Sequence, residues 1–243
     1  ALHFYNIINC KQKMRVSSEF SKYALEYNNY NVIQNMVIEK LLEHVTQKPK
    51  NILDIGCGSG ALCRAINWEY EHFYGVDFAP GMLELHPKSP KIETIYGDFN
   101  DDKLFENMLT YIYDFIFSAS ALQWADDLDR VFRKIKELNA PVALAIFTSN
   151  TFKTINKTAS INSILKSADE VNEIQKKYFN AEFEVLNYKL EFESTRDMFK
   201  YIKKSGVSGS RKILNYKESK RLLNEYPLSY LEFEVAFIYS SKM

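Results

Sequence analysis

The sequence predicts a doubly wound α/β fold, with a mostly parallel sheet, helices on both faces and an antiparallel last strand. Three observations predict it. Short apolar runs alternate with helix-compatible runs at 51–55, 61–68, 72–77, 80–86, 92–96, 101–110, 113–118, 122–138 and 141–147. Such alternation implies parallel strands joined by right-handed crossovers. The first strand, Ile52 to Ile55, runs into the turn Gly56-Cys57-Gly58-Ser59-Gly60 and straight on into a helix. Later strands end on polar residues: Asp77, Asp98 and Ser118. Ligands bind these sheets beyond the carboxyl ends of the strands, where all of these residues fall.

The elements follow in order. Residues 17–45 read as a helical cap, with Phe20, Ala24, Tyr27, Val32, Met36, Val37, Leu41 and Leu42 near a 3.6 period and a break at Asn28-Asn29. Residues 51–147 form the Rossmann-like core. Residues 148–180 are polar and helix-compatible, interrupt the sheet pattern and read as a lid over the site. Glu182 to Glu193 alternates through Phe183, Val185, Leu190 and Phe192, as a strand does. Thr195 to Lys204 and Glu218 to Asn224 read as helices, and Ser229 to Tyr239 as the final strand. The whole of 1–243 is expected to be one domain.

Composition narrows the class. Hydrophobic residues make up 46% and charged residues 26%, as in a soluble globular protein. Formal net charge is zero, so no global field favours nucleic acid or membrane. No apolar run is long enough to span a bilayer and no signal-peptide pattern opens the chain, so a cytoplasmic enzyme is expected. Three cysteines, Cys10, Cys57 and Cys63, with no C-x-x-C, suggest neither a disulfide framework nor a metal site.

The glycine spacing is G-x-G-x-G, not the G-x-G-x-x-G of dinucleotide binders. Glycine tolerates φ > 0 and lets a ligand approach the backbone. Asp77 stands 23 residues after Asp54, at the tip of the second strand, where a carboxylate can accept both hydroxyls of a ribose. With Asp54 two residues before the first glycine, the loop resembles motif I of the class I S-adenosylmethionine (SAM) methyltransferases. The resemblance implies SAM as cofactor, held by Asp54, Gly56, Cys57, Gly58, Gly60, Asp77 with Phe78, and Ser118. It implies that Asp98 receives the adenine amino group and that Phe99 flanks the ring.

Segments outside the loop are similar to one family, the malonyl-carrier-protein O-methyltransferases of biotin synthesis (BioC type). They are Phe20-Ser21-Lys22-Tyr23-Ala24-Leu25-Glu26-Tyr27 with Gln34, Ser118-Ala119-Ser120-Ala121-Leu122-Gln123-Trp124, Tyr201-Ile202-Lys203-Lys204-Ser205-Gly206, and Tyr226-Pro227-Leu228-Ser229-Tyr230. The resemblance implies that Tyr23, Tyr27 and Gln34 close over SAM. It also implies that Tyr27, Gln123 and Trp124 position the acceptor, the carboxylate of a malonyl thioester on acyl-carrier protein or coenzyme A. A carboxylate is already ionised near pH 7, so no general base is required. A small free carboxylic acid as acceptor, or SAM binding without catalysis, are the alternatives. Between Thr195 and Arg221 stand nine basic and two acidic residues, among them Lys203, Lys204, Arg211 and Lys212. On a neutral chain this segment suits an acidic carrier protein. RNA is the competing polyanion, but no RNA-binding motif accompanies the segment.

Overall fold

The structure is a computed structural model that describes residues 31–204 and 216–240. A seven-stranded sheet runs through it in the order β3-β2-β1-β4-β5-β7-β6. The strands are β1 (Asn51–Ile55), β2 (His72–Asp77), β3 (Ile92–Tyr96), β4 (Phe115–Ala119), β5 (Val142–Phe147), β6 (Glu182–Glu191) and β7 (Tyr230–Ser240). The first five are parallel neighbours. β7 enters antiparallel beside β5 and pairs antiparallel with β6, which is the edge. The order reverses between β1 and β4, and that switch point opens the crevice used by ligands in such sheets.

The helices are α1 (Val32–Glu43), α2 (Ala61–Ala65), α3 (Pro80–Leu85), α4 (Asp102–Met108), α5 (Leu128–Glu137), α6 (Lys153–Thr158), α7 (Ala168–Gln175), α8 (Thr195–Lys204) and α9 (Tyr216–Glu225). None is long and apolar enough to cross a membrane. The core has two layers because strand side chains alternate in direction. Ala143, Ala145 and Phe147 of β5 face the layer of α1, with Ile33, Val37, Ile38 and Leu41. Val142, Leu144 and Ile146 face the layer of α4 and α5, with Phe105, Val131, Phe132 and Ile135. Burying each large apolar side chain is worth about 1.5–3 kcal/mol, so α1 is firmly seated.

Three elements are shorter than their apolar runs predict. The run 122–138 is two pieces: a 3₁₀ turn, Leu122–Trp124, and then α5. Asp127 separates them, because its extended backbone and side-chain acceptance of the Arg130 N–H start a new helix. The run 61–68 stops at Ala65, where Ile66 turns extended and Trp68 Nε1 donates to Pro49 O at 3.0 Å. The strand expected from Tyr113 begins at Phe115, since Asp114 accepts from the backbone N–H groups of Lys50 and Asn51.

Residues 148–180 form α6 and α7 with their connections. At the end of β5, Thr148 Oγ1 and Asn150 Nδ2 donate to the buried carboxylate of Glu234 at 2.6 and 2.9 Å. A Ser167/Glu170 capping box starts α7. Beyond it, Phe179 meets Phe132 of α5 edge to face, and Tyr178 and Lys177 bond Asp129.

Candidate active site

The glycine loop leaves β1 at the switch point. Its conformation requires glycine: φ is +77° at Gly56 and +53° at Gly58. Gly56 N and Cys57 N both donate to Val76 O, which anchors the loop to the second strand. Arg64 of α2 secures the far side, with Nη1 donating to Ser59 O at 2.8 Å. A Cβ on Gly56 would stand 2.2 Å from Ala121 Cβ, so the loop and the turn after β4 touch there. A Cβ on Gly58 would meet nothing within 4 Å, because that residue fronts open space.

That space is a pocket lined by Asn31, Gln34 and Ile38 of α1 and its N-cap, by Asp54 and the loop from Gly56 to Ser59, by Ala61 and Leu62, and by Ala119 at the tip of β4. Of the sequence-predicted acids, Asp54 is in its lining and Asp77 stands behind Gly58. Asp77 Oδ2 accepts from Gly58 N and Oδ1 from Ala79 N, both at 2.8 Å. Burial pushes its carboxyl up to about 6, against the pull of those backbone donors. Asp54 is 2% exposed, and its Oδ1 has no partner among the described residues. Burial, and then the charge of Asp77, push its carboxyl up to about 8. Gln34 Oε1 is likewise buried and unpartnered.

Gln34, Asp54, Gly56, Cys57 and Gly58 are therefore brought together, with Asp77 directly behind Gly58. Other expected residues serve differently. Ser118 is fully buried and its Oγ donates to Ile55 O at 2.7 Å, so it ties β4 to β1 while Ala119 lines the pocket. Gly60, φ +86°, is the N-cap of α2, and a Cβ there would strike His86 and Pro87. Cys57 packs against Gly75, and burial pushes its thiol well above its ordinary range, so it is no nucleophile. Phe78 is half-buried, and Phe99 joins Leu104 and Met108 in the core. Asp98 Oδ1 accepts from both the backbone N and Nδ2 of Asn100 at 2.8 Å, and Asn100 Oδ1 accepts from Asp126 N. This joins the adenine-side turn to the turn after β4.

In that second turn, Gln123 Nε2 donates to Ser120 O at 2.6 Å, while Gln123 Oε1 and the Ser120 hydroxyl are buried without partners. Ser120 holds a left-handed φ of +63°. Trp124 is half-buried against the core beside Leu122. Tyr23, Tyr27, Arg211 and Lys212 lie outside the described residues, as do the side chains of Lys203 and Lys204 at the end of α8. Asn31, Ile38, Ser59, Ala61, Leu62 and Ala119 also line the pocket and were not expected as site residues, although Ser59 lies within the glycine loop and Ala119 within the 118–124 segment.

The residues present fit SAM. Bare acceptors at Gln34 and Asp54 suit its ammonium end, Asp77 suits ribose hydroxyls, and the open face of Gly58 admits the chain between them. Among the described residues no group of three or more His, Cys, Asp or Glu could hold a metal. A family model described as a methyltransferase domain matches residues 52–141, the glycine loop and its strands. The chain is a class I SAM-dependent methyltransferase. It is similar to malonyl-[acyl-carrier protein] O-methyltransferase 1 of Ilyobacter polytropus, 29% identical over 82% of this chain and 79% of that protein. It is also similar to the malonyl-[acyl-carrier protein] O-methyltransferase of Brevibacillus brevis, 30% identical over 58% of this chain and 55% of that one. Within its class the chain is similar to the BioC type, for whose reaction both relatives are named. The fold matches YcgJ of Bacillus subtilis, with a TM-score of 0.57 at 13% identity over 85% of this chain and 99% of that one. It also matches a phosphoethanolamine N-methyltransferase of Haemonchus contortus solved with SAM, with a TM-score of 0.55 at 18% identity over 92% of this chain and 57% of that one.

Proposed function

We propose that this enzyme methylates the free carboxylate of a malonyl thioester on acyl-carrier protein, an early step of biotin synthesis, in the cytoplasm. The observation that carries the reading is the likeness, along 82% of the chain, to a protein named for that reaction. The chemistry of the site agrees with it. Among the described residues lining the pocket only Asp54 and Cys57 titrate, one bare beneath the cofactor loop and the other held as a thiol. A malonyl carboxylate, ionised at neutral pH, needs no proton removed. SAM supplies a methyl on a sulfonium: as the carboxylate oxygen bonds the methyl, the C–S electron pair returns to sulfur and leaves a neutral thioether.

The protein's part is then orientation, which alone can be worth about 7–11 kcal/mol of barrier. Gln123, Trp124 and, from the N-terminal segment, Tyr27 would present the acceptor, with Tyr23 and Gln34 over the cofactor. Residues 148–180, which follow β5, would help to cover it. Mass spectrometry of malonyl-acyl-carrier protein incubated with SAM should show the gain of one methyl. Methylation of a small free carboxylic acid, with none of malonyl thioesters, would move the activity to the alternative acceptor class.

Lys203, Lys204, Arg211 and Lys212 would steer the acidic carrier. The Lys204→Glu/Arg211→Glu variant should raise KM for malonyl-carrier protein and raise it by less for malonyl-coenzyme A, with SAM affinity unchanged. The wild-type carrier reaction should weaken with salt, since exposed charges are screened beyond about 8 Å at physiological ionic strength. An unchanged KM and a salt-indifferent rate would reduce the segment to a solvated face.

A further inference from the structure

Two acids stand at the cofactor loop, Asp54 in the pocket lining and Asp77 behind Gly58, and they are solvated differently. Asp77 accepts two backbone N–H groups. Asp54 Oδ1 accepts none, although the residue is 2% exposed. Facing the same pocket from α1 is the bare Oε1 of Gln34, 6% exposed. Two buried acceptors with no donor among the described residues suit a ligand group carrying several N–H bonds, as the primary ammonium of SAM does.

Before such a ligand arrives, no described residue donates a hydrogen bond to Asp54 Oδ1. The charge that acts on it is that of Asp77 from β2. Cys57 of the loop and Cys63 of α2 respond to its own charge, and the cation beside the loop, Arg64 of α2, is turned to the Ser59 carbonyl. To the pocket wall α1 and its cap contribute only the neutral Asn31, Gln34 and Ile38. A buried, unpaired carboxylate neutralises itself instead.

We propose that Asp54 carries a proton in the cofactor-free enzyme and loses it to solvent when the ammonium of SAM enters between Asp54 and Gln34, so that cofactor binding is coupled to proton release. The O–H bond of the carboxyl breaks, the proton passes to water, and the ammonium keeps its own protons and pairs with the new carboxylate. The inference rests on the pocket being the SAM site and is independent of which acceptor is methylated. The displacement of the Asp54 carboxyl to about 8 agrees with it. Affinity for SAM should climb up to about pH 8, as deprotonation of Asp54 ceases to be required. It should fall above that, where the amine of the free ligand loses its own proton.

The test is calorimetric titration with SAM at pH 7.0 in phosphate and in Tris, whose ionisation enthalpies differ. At this pH Asp77 is mostly ionised and the ligand amine mostly protonated. The wild-type enzyme should release close to one proton more per SAM bound than Asp54→Asn does. 5′-Methylthioadenosine, the same nucleoside without the amino-acid tail, should bind with no release. Gln34→Ala should weaken SAM binding with the proton count intact, and melting curves of the variants verify that they fold. Equal heats in the two buffers for wild-type enzyme that binds SAM, or the same release from Asp54→Asn, would overturn the proposal. Absence of SAM binding by the wild type would overturn the pocket assignment itself.

Discussion

Gly58→Val is expected to abolish SAM binding and to leave the fold standing. The prediction turns on the difference between glycines two positions apart. At Gly56 a side chain would collide with Ala121, and at Gly60 with His86 and Pro87, so substitution there disturbs packing. At Gly58 a Cβ meets no protein atom within 4 Å, and a valine would project its methyls into the pocket. The backbone is left-handed at φ +53°, which costs a non-glycine residue about 1–2 kcal/mol, and a β-branched one at the upper end. That cost is tolerable for a domain of this size and shifts Tm by a few degrees. The cofactor, by contrast, loses the space it needs against the backbone. Circular dichroism should be native-like, and calorimetry should find SAM affinity reduced at least about 100-fold. A folded Gly58→Val that binds SAM tightly would remove the loop from its role as the cradle.

The loop and the acids were legible because their chemistry is written in local spacing. A strand ending in glycines and acids at successive strand tips need no knowledge of the third dimension. The strands 51–55, 72–77 and 92–96 lie where their apolar runs end in turn residues. What was not legible depends on which strand lies beside which. Ala119 faces the pocket because β4 sits beside β1 at the switch point, which is topology and not pattern. Its neighbour Ser118 points the other way, since successive strand residues alternate, and one step of parity changes a ligand contact into a tie between strands. Gln34 was legible only through resemblance to a family. The split of 122–138 was written in Asp127, a helix-capping residue inside a run that apolar periodicity alone reads as continuous.

Asp77→Ala is expected to weaken SAM binding by about 1.5–3 kcal/mol, the range for hydrogen bonds to a charged group, or roughly 10- to 150-fold. Each oxygen of Asp77 already accepts one backbone N–H, and a carboxylate has lone pairs left for the two ribose hydroxyls. The alanine also leaves Gly58 N without its acceptor, so the loop loses an anchor exactly where the ligand lies and the loss falls at the upper end of the range. Asp98→Ala should cost less affinity. Its side chain holds the 98–101 turn through Asn100, and a single adenine contact is at stake. The sign of the pH effect separates the two acids of the pocket. Burial raises the Asp77 carboxyl to about 6, so its acceptor capacity is complete above that value and is lost as pH falls through it. Wild-type affinity should therefore drop below pH 6 more steeply than Asp54 alone would cause, and Asp77→Asn should remove that extra step while keeping the one near 8. Calorimetric titrations from pH 5.5 to 8.5 would show it. If folded Asp77→Ala binds SAM as the wild type does, or if Asp98→Ala is the more damaging change, the ribose belongs elsewhere in the pocket.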